Sequence, residues 1–219
     1  GTRLQTVVKD VPKCMAEVAG KPFVSYLFDY LEKQGFSHVI LSLGYKADVV
    51  IDWIGGQVRS FRISYVVETE PLGTGGAIGF AFEKVESDNA LVINGDTYFD
   101  VDVAAVHEFH TKNDADLTLA LKPMTDFDRY GSVDIAADGR VVSFNEKAFR
   151  RQGLINGGVY LINKKLFAKI SLPTKFSFEK DVMESRLDIL RIYGFVQDTY
   201  FIDIGIPSDF EKANNDFRK

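Results

Sequence analysis

Short apolar blocks alternate with stretches of helical periodicity along the first half of this chain, and no other sequence feature restricts its fold so strongly. Within residues 22–35, Phe23, Leu27, Tyr30 and Leu31 recur at helical spacing, with proline in the first turn and glycine just past the last. The block VILSL at 39–43 follows, of the kind that forms a strand buried on both faces. The series continues with a helix over 47–54, a strand at 63–67 and a helix over 77–84 opened by Gly73-Thr74-Gly75-Gly76. A buried strand at 90–94, a helix over 103–112 and a strand at 115–121 complete it. This pattern predicts an α/β fold, Rossmann-like, with a mostly parallel mixed sheet flanked by helices. Ligands of such sheets bind beyond the carboxyl ends of the strands, which is where Asp96 falls.

After about residue 125 the strands shorten, and a hairpin is predicted from 133–135 and 141–144 around the turn Asp138-Gly139. Further strands are expected at 158–162 and 200–204, with a terminal helix over 207–217. The second half therefore reads as a small β-rich lobe built onto the first. A length of 219 residues, 46% of them hydrophobic, suits one domain spanning 1–219. The net charge of -5 gives no basic surface for a polyanion, so nucleic acid is not an expected partner. Cys14 is the only cysteine, which rules out an intrachain disulfide and fits a reducing, cytoplasmic setting. No apolar run approaches the roughly 20 residues of a membrane span, and no membrane association is expected.

Several constellations could carry chemistry. The segment Gly1-Thr2-Arg3-Leu4, followed by Pro12-Lys13, offers backbone amides, a guanidinium and an ammonium that together can neutralise a triphosphate. Taken locally, a plain chain end with a surface lysine explains these residues at least as well. The glycines of Gly73-Thr74-Gly75-Gly76 would let main chain approach a base or a phosphate, and a tight turn into a helix is an equal account. Glu68, at a strand end, would offer two acceptor oxygens to the ring N–H donors of guanine, though uracil and thymine also carry one. Asp96 and Asp203 are both framed by apolar residues. Two convergent carboxylates can hold magnesium, which takes its other ligands from water and substrate phosphates, whereas a helix-cap role would explain either one alone. His38, His107 and His110 show no partner pattern, and the last two are expected to be exposed on their helix. No serine or cysteine sits in a nucleophile context.

In sequence order the chain carries GTRL at 1–4, PKCMAEVAGKPF at 12–23, EPLGTGGA at 70–77, NGD at 94–96, FNEK at 144–147, LINGGVY at 154–160 and YFIDIG at 200–205. Together these resemble the nucleoside-diphosphate-sugar pyrophosphorylases, the sugar-1-phosphate nucleotidyltransferases, over nearly the whole chain. The segments DFDRYG at 126–131, QGLINGG at 152–158 and KFSFE at 175–179 are similar to one branch of that family, the D-glycero-D-manno-heptose 1-phosphate guanylyltransferases. Cys14 departs from the proline usual in the family.

The resemblance implies transfer of a guanylyl group from GTP to a heptose 1-phosphate, in the biosynthesis of GDP-heptose for cell-surface polysaccharide. Mannose 1-phosphate is the nearest competing substrate. It implies a nucleotide-binding part over 1–124 and a sugar-binding part over 125–219. Arg3, Lys13 and Asp96 would be catalytic; Gly1, Thr2, Glu68, Gly73 and Thr74 would bind the nucleotide. Gly131, Glu146, Lys147, Asn156 and Gly158 would line the sugar pocket, and Asp96 with Asp203 would hold Mg2+. Self-association is left open. A non-catalytic nucleotide-sugar-binding subunit is the alternative of a different class, and intact Lys13, Asp96 and Asp203 speak against it. A Rossmann dehydrogenase is disfavoured because the glycine cluster lacks the GxGxxG spacing. In the family an apolar strand and two glycines precede GTRL, so roughly ten further residues are expected before Gly1, where an absent central strand would leave backbone groups unpaired.

Overall fold

A computed structural model describes residues 11–218. The fold is mixed α/β, with a central sheet flanked by helices. In chain order its elements begin β1 (Glu17–Val18), β2 (Lys21–Pro22), α1 (Phe23–Lys33), β3 (His38–Leu43), α2 (Ala47–Gly55), β4 (Arg62–Val67), α3 (Gly73–Phe82), β5 (Asn89–Ile93) and β6 (Thr97–Phe99). There follow α4 (Val103–Lys112), β7 (Leu117–Phe127), β8 (Ser132–Ile135), β9 (Val141–Asn145), β10 (Arg150–Asn163), α5 (Leu166–Lys169), β11 (Ile192–Val196), β12 (Phe201–Asp203) and α6 (Pro207–Asp216). The chain forms two compact units: the described parts of Gly1–Glu70 and Tyr200–Lys219 with Asn94–Tyr98, and Pro71–Ile93 with Phe99–Thr199.

In the first unit, α1 starts after Pro22, whose fixed φ suits a helix entry, and buries Phe23, Val24, Leu27, Phe28, Tyr30 and Leu31. It ends in a Schellman turn: the Gly35 N–H reaches Glu32 O at 3.0 Å and the Phe36 N–H reaches Leu31 O at 3.2 Å. Gly35 supplies the left-handed φ of 79° that this turn needs. The strands β3 and β4 then pair in parallel from His38↔Arg62 to Leu43↔Val67, with α2 as their crossover. At the chain's other end, Phe217 packs its ring on Tyr26 at 4.3 Å, Tyr98 at 5.4 Å and Tyr200 at 6.0 Å, which anchors α6.

The second unit is built on one sheet in the order β11-β7-β10-β8-β9, with β5 also pairing β10. β7 and β11 run parallel, whereas β10 is antiparallel to β5, β7 and β8. Residues 117–121 of β7 are buried on both faces, and Leu117, Leu119, Leu121, Ile155 and Ile162 form the centre of the core. The predicted hairpin is present as β8 and β9, closed by Gly139 at φ 86°. Several elements exceed their sequence expectation, β10 most of all, since it begins at Arg150 rather than at 158. The helix α3 begins at Gly73 rather than after the glycines, and β7 extends six residues past its apolar block because β10 supplies ladder partners out to Phe127.

Candidate functional site

The first unit gathers three of the expected polar residues. Lys13 opens a short 3-10 turn, Lys13–Met15, immediately after Pro12. Its Nζ donates to Asp96 Oδ2 at 2.8 Å, and both side chains are 29% exposed. Such a pair is accessible to a ligand yet held in one geometry. Asp96 sits in the turn that leaves β5, and its main-chain carbonyl accepts the Ile204 N–H at 3.0 Å. That bond lays the end of β12 alongside Asp96, so the structure brings Asp96 and Asp203 to neighbouring backbone positions although they lie far apart in sequence.

The Asp203 carboxylate accepts the Gly205 N–H at 2.7 Å, an Asx turn that fixes the side chain from within its own loop. A Cβ on Gly205 would lie 2.8 Å from Asp203 Oδ1 and 3.6 Å from Lys13 Nζ, so Lys13, Asp96 and the Asp203–Gly205 turn surround one point. Asp96 Oδ1 has no hydrogen-bond partner among the described residues. Hard carboxylate oxygens in this number suit magnesium, which is held by one or two carboxylates and completes its shell with water and phosphate. Among the described residues no cluster of three His, Cys, Asp or Glu side chains could cage a metal outright.

Cys14 lies behind this pair. A Cβ on Gly95 would be 3.5 Å from Cys14 Cβ, and burial, reinforced by the Asp96 charge, pushes the thiol up to about 11. The cysteine that replaces the family's usual proline is therefore a neutral apolar filler. Glu68 continues the parallel ladder, its N–H donating to Leu43 O at 2.7 Å, and its carboxylate lies over Gly44. Gly1, Thr2 and Arg3 lie outside the described residues.

The glycine cluster belongs to the second unit, where its space is occupied by the protein itself. Gly73 has φ 74°, and a Cβ there would stand 2.5 Å from Phe176 O. The amides of Gly75 and Gly76 donate to that same carbonyl at 3.0 and 3.4 Å. The Thr74 hydroxyl accepts the Phe178 N–H at 2.9 Å and donates to Glu179 Oε2 at 2.6 Å. The cluster thus opens α3 as a tight turn packed on the 174–178 segment.

Residues expected at the sugar surround neighbouring strand positions. Ser132 pairs with Asn145 on β9 and with Ile155 on β10, so Gly131 just before β8, Glu146 just after β9 and Asn156 on β10 each lie one residue from these paired positions. Gly131 admits the Asn145 carbonyl, which a Cβ would meet at 2.7 Å. Glu146 and Lys147 are exposed in the loop after β9. Asn156 and Gly158 lie in a bulge of β10, where the register against β7 shifts between Asn156 and Tyr160. The Asn156 Nδ2 donates to Tyr160 Oη at 3.0 Å, and its Oδ1 accepts the Gly158 N–H at 3.0 Å, which holds Gly158 at φ 71°.

Sequence reasoning missed Asp134, whose Oδ2 accepts from Ser143 at 2.8 Å and Asn145 at 2.9 Å; these hydrogen bonds hold its carboxyl below the usual range and tie the hairpin carrying Glu146 and Lys147. It also misplaced His110. That ring is buried at 2% exposure against β7, because α4 turns this face to the sheet, and its Nδ1 lies 2.8 Å from Thr118 Oγ1. No helix among the described residues is long and apolar enough to cross a membrane.

A family model described as Nucleotidyl transferase matches residues 1–219. The D-glycero-alpha-D-manno-heptose 1-phosphate guanylyltransferase of Aneurinibacillus thermoaerophilus is 50% identical across 100% of this chain and 94% of its own length. A protein of the same name from Campylobacter jejuni is 45% identical over 96% of this chain and 92% of its own. The crystal structure of HddC from Yersinia pseudotuberculosis complexed with GMP-PN superposes with a TM-score of 0.89 at 42% identity, covering 98% of this chain and 94% of that one.

Proposed function

Since this chain belongs to the nucleotidyl transferase family, we propose that it transfers a guanylyl group from GTP to D-glycero-D-manno-heptose 1-phosphate, yielding GDP-heptose and pyrophosphate. The observation that carries this reading is the Lys13–Asp96 pair beside the Asp203–Gly205 turn, a cation and two carboxylates on one point, in a chain that is 50% identical to a heptose 1-phosphate guanylyltransferase over 94% of that protein's length.

In the reaction an oxygen of the sugar phosphate attacks the α-phosphorus of GTP, the new P–O bond forms, and the bond to the bridging oxygen breaks to release pyrophosphate. The second pKa of such a phosphate is about 6, so the nucleophile is already dianionic at neutral pH and needs no general base. The obstacle is repulsion between anions, and preorganised cations offset it. Lys13, held by Asp96, presents its ammonium to the phosphates, and Arg3 is assigned the triphosphate with the amides of Gly1 and Thr2. Asp96 and Asp203 would hold Mg2+, which when bound neutralises phosphate charge and orients the phosphate oxygens.

Glu68, Gly73 and Thr74 are assigned to the nucleotide, within a nucleotide part over 1–124. Gly131, Glu146, Lys147, Asn156 and Gly158 are assigned to the sugar, within 125–219. We place the reaction in the cytoplasm, where a free thiol such as the half-buried Cys14 stays reduced.

The test is pyrophosphate release across the four nucleoside triphosphates with heptose, mannose and glucose 1-phosphates. GTP with the heptose is expected to give the highest kcat/KM. Preference for mannose 1-phosphate would reassign the sugar, and binding without release in every combination would instead support a non-catalytic subunit.

A further inference from the structure

One stretch of the second unit touches both the loop assigned to the nucleotide and the bulge assigned to the sugar. At its start, the Phe176 N–H donates to Leu72 O at 3.0 Å, and the Phe176 carbonyl closes the first amides of α3. Glu179 then fastens the side chains: its Oε2 receives the Thr74 hydroxyl at 2.6 Å and the Ser177 hydroxyl at 3.0 Å. From there the chain winds through a π-helical turn, Phe178–Glu184. Turns of this type are rare and concentrate at functional sites. Its inner side chains Phe178, Val182 and Met183 are fully buried, so the turn moves as one packed piece. At its far end Met183 Sδ lies 3.9 Å from Asn156 Nδ2, and at its start the Phe178 ring lies 5.9 Å from that of Tyr160, the residue whose hydroxyl accepts from Asn156.

We infer that Glu179 is a positioning residue that couples the two substrates, so that GTP at Gly73–Thr74 tightens binding of the sugar phosphate at the Asn156–Gly158 bulge, and the reverse. The inference rests on the assignment of those two segments under the proposed function. Its physical basis is ordering. A ligand that fixes Thr74 fixes Glu179 and, through the buried turn, the amide of Asn156. The second ligand then meets a site already ordered, and thermodynamic linkage makes the gain equal in both directions. A purely local role for the Thr74–Glu179 bond, closing the start of α3, would stabilise the fold without linking the two ligands.

Calorimetric titration separates these cases. A non-hydrolysable GTP analogue with Mg2+ is titrated into the protein with and without heptose 1-phosphate, and the sugar phosphate is titrated with and without the analogue. In the unaltered protein each ligand is expected to tighten the other by at least about fivefold. Glu179→Ala should bring that factor close to one. Glu179→Gln should keep most of it, because the amide oxygen still accepts the Thr74 hydroxyl. A general loss of stability lowers both affinities yet leaves their ratio alone. An unchanged factor in Glu179→Ala would overturn the inference, as would two ligands that bind the unaltered protein independently; the functional reading survives either result. If neither ligand bound the unaltered protein, the functional reading itself would fall.

Discussion

The Lys13–Asp96 pair is half-accessible, and that decides what its loss should do. At 29% exposure an ion pair contributes about 1 kcal/mol or less to stability, because water screens it. In a closed complex with anionic phosphates the same charges act with far less screening. Asp96→Asn is therefore expected to lower kcat on the order of a hundredfold or more while the thermal midpoint moves by only a few degrees. Magnesium-dependent turnover that survived the change would remove Asp96 from the metal. Cys14 gives the opposite kind of expectation. With its thiol near 11, only about one molecule in a thousand is thiolate at pH 8, so alkylation by iodoacetamide should run roughly a hundred times slower than for an ordinary exposed thiol. Rapid labelling of the native protein would mean that the residue is not packed behind Asp96. Both aspartates were legible as candidates from their apolar flanks. Their adjacency was not, since it depends on the pairing of β12 with β6 and on the main-chain bond from Ile204 to Asp96, which no spacing rule foresees.

Elements carry more information in their glycines than the periodicity alone conveyed. The cluster Gly73-Thr74-Gly75-Gly76 was open to two readings because the backbone that fills it, residues 174–178, arrives from the far side of the sequence. In the same way LINGGVY was legible as a motif and as a strand, whereas the bulge that distinguishes it required the register of β10 against β7. Gly157 shows why a bulge forms there. A Cβ on it would stand 2.4 Å from the Phe99 ring and 3.0 Å from Ala120 O, so the chain has no room for a side chain at this point. Gly157→Ala should accordingly destabilise the protein by about 1–3 kcal/mol, read from urea denaturation, since both the ring and the main chain of β7 must shift. Because the Asn156–Gly158 bulge would move with it, KM for the sugar phosphate should rise more than KM for GTP. A variant of unchanged stability would show that Phe99 has space to turn aside.

At the scale of the whole molecule, local patterns described the elements well and their assembly less well. The strand β11 went unread because Gly194 breaks its apolar run, yet a Cβ there would collide with Leu121 at 2.3 Å, so the glycine is a condition of the parallel pairing. The grouping into two units, each drawn from separate stretches of chain, is likewise a matter of long-range contact rather than of local sequence. His110 links that buried architecture to global stability. Its ring is enclosed between α4 and β7, and its Nε2 has no partner among the described residues. Burial, with the neighbouring His107 charge, lowers its pKa to about 4, against the opposing pull of Asp116 and Asp114. In the unfolded chain a histidine titrates near pH 6.5, so between about pH 6.5 and pH 4 the unfolded state binds the extra proton. Stability therefore rises with pH across that window, is fully present above it, and declines as the solution is acidified. The loss should be on the order of 2 kcal/mol once solvent screening is allowed for. His110→Gln keeps a polar group beside Thr118 and removes the titration, so its stability should fall less steeply than that of the unaltered protein from pH 7 to pH 4.5. Parallel curves for the two proteins in urea denaturation would show that His110 takes up its proton without unfolding and that the acid sensitivity arises elsewhere.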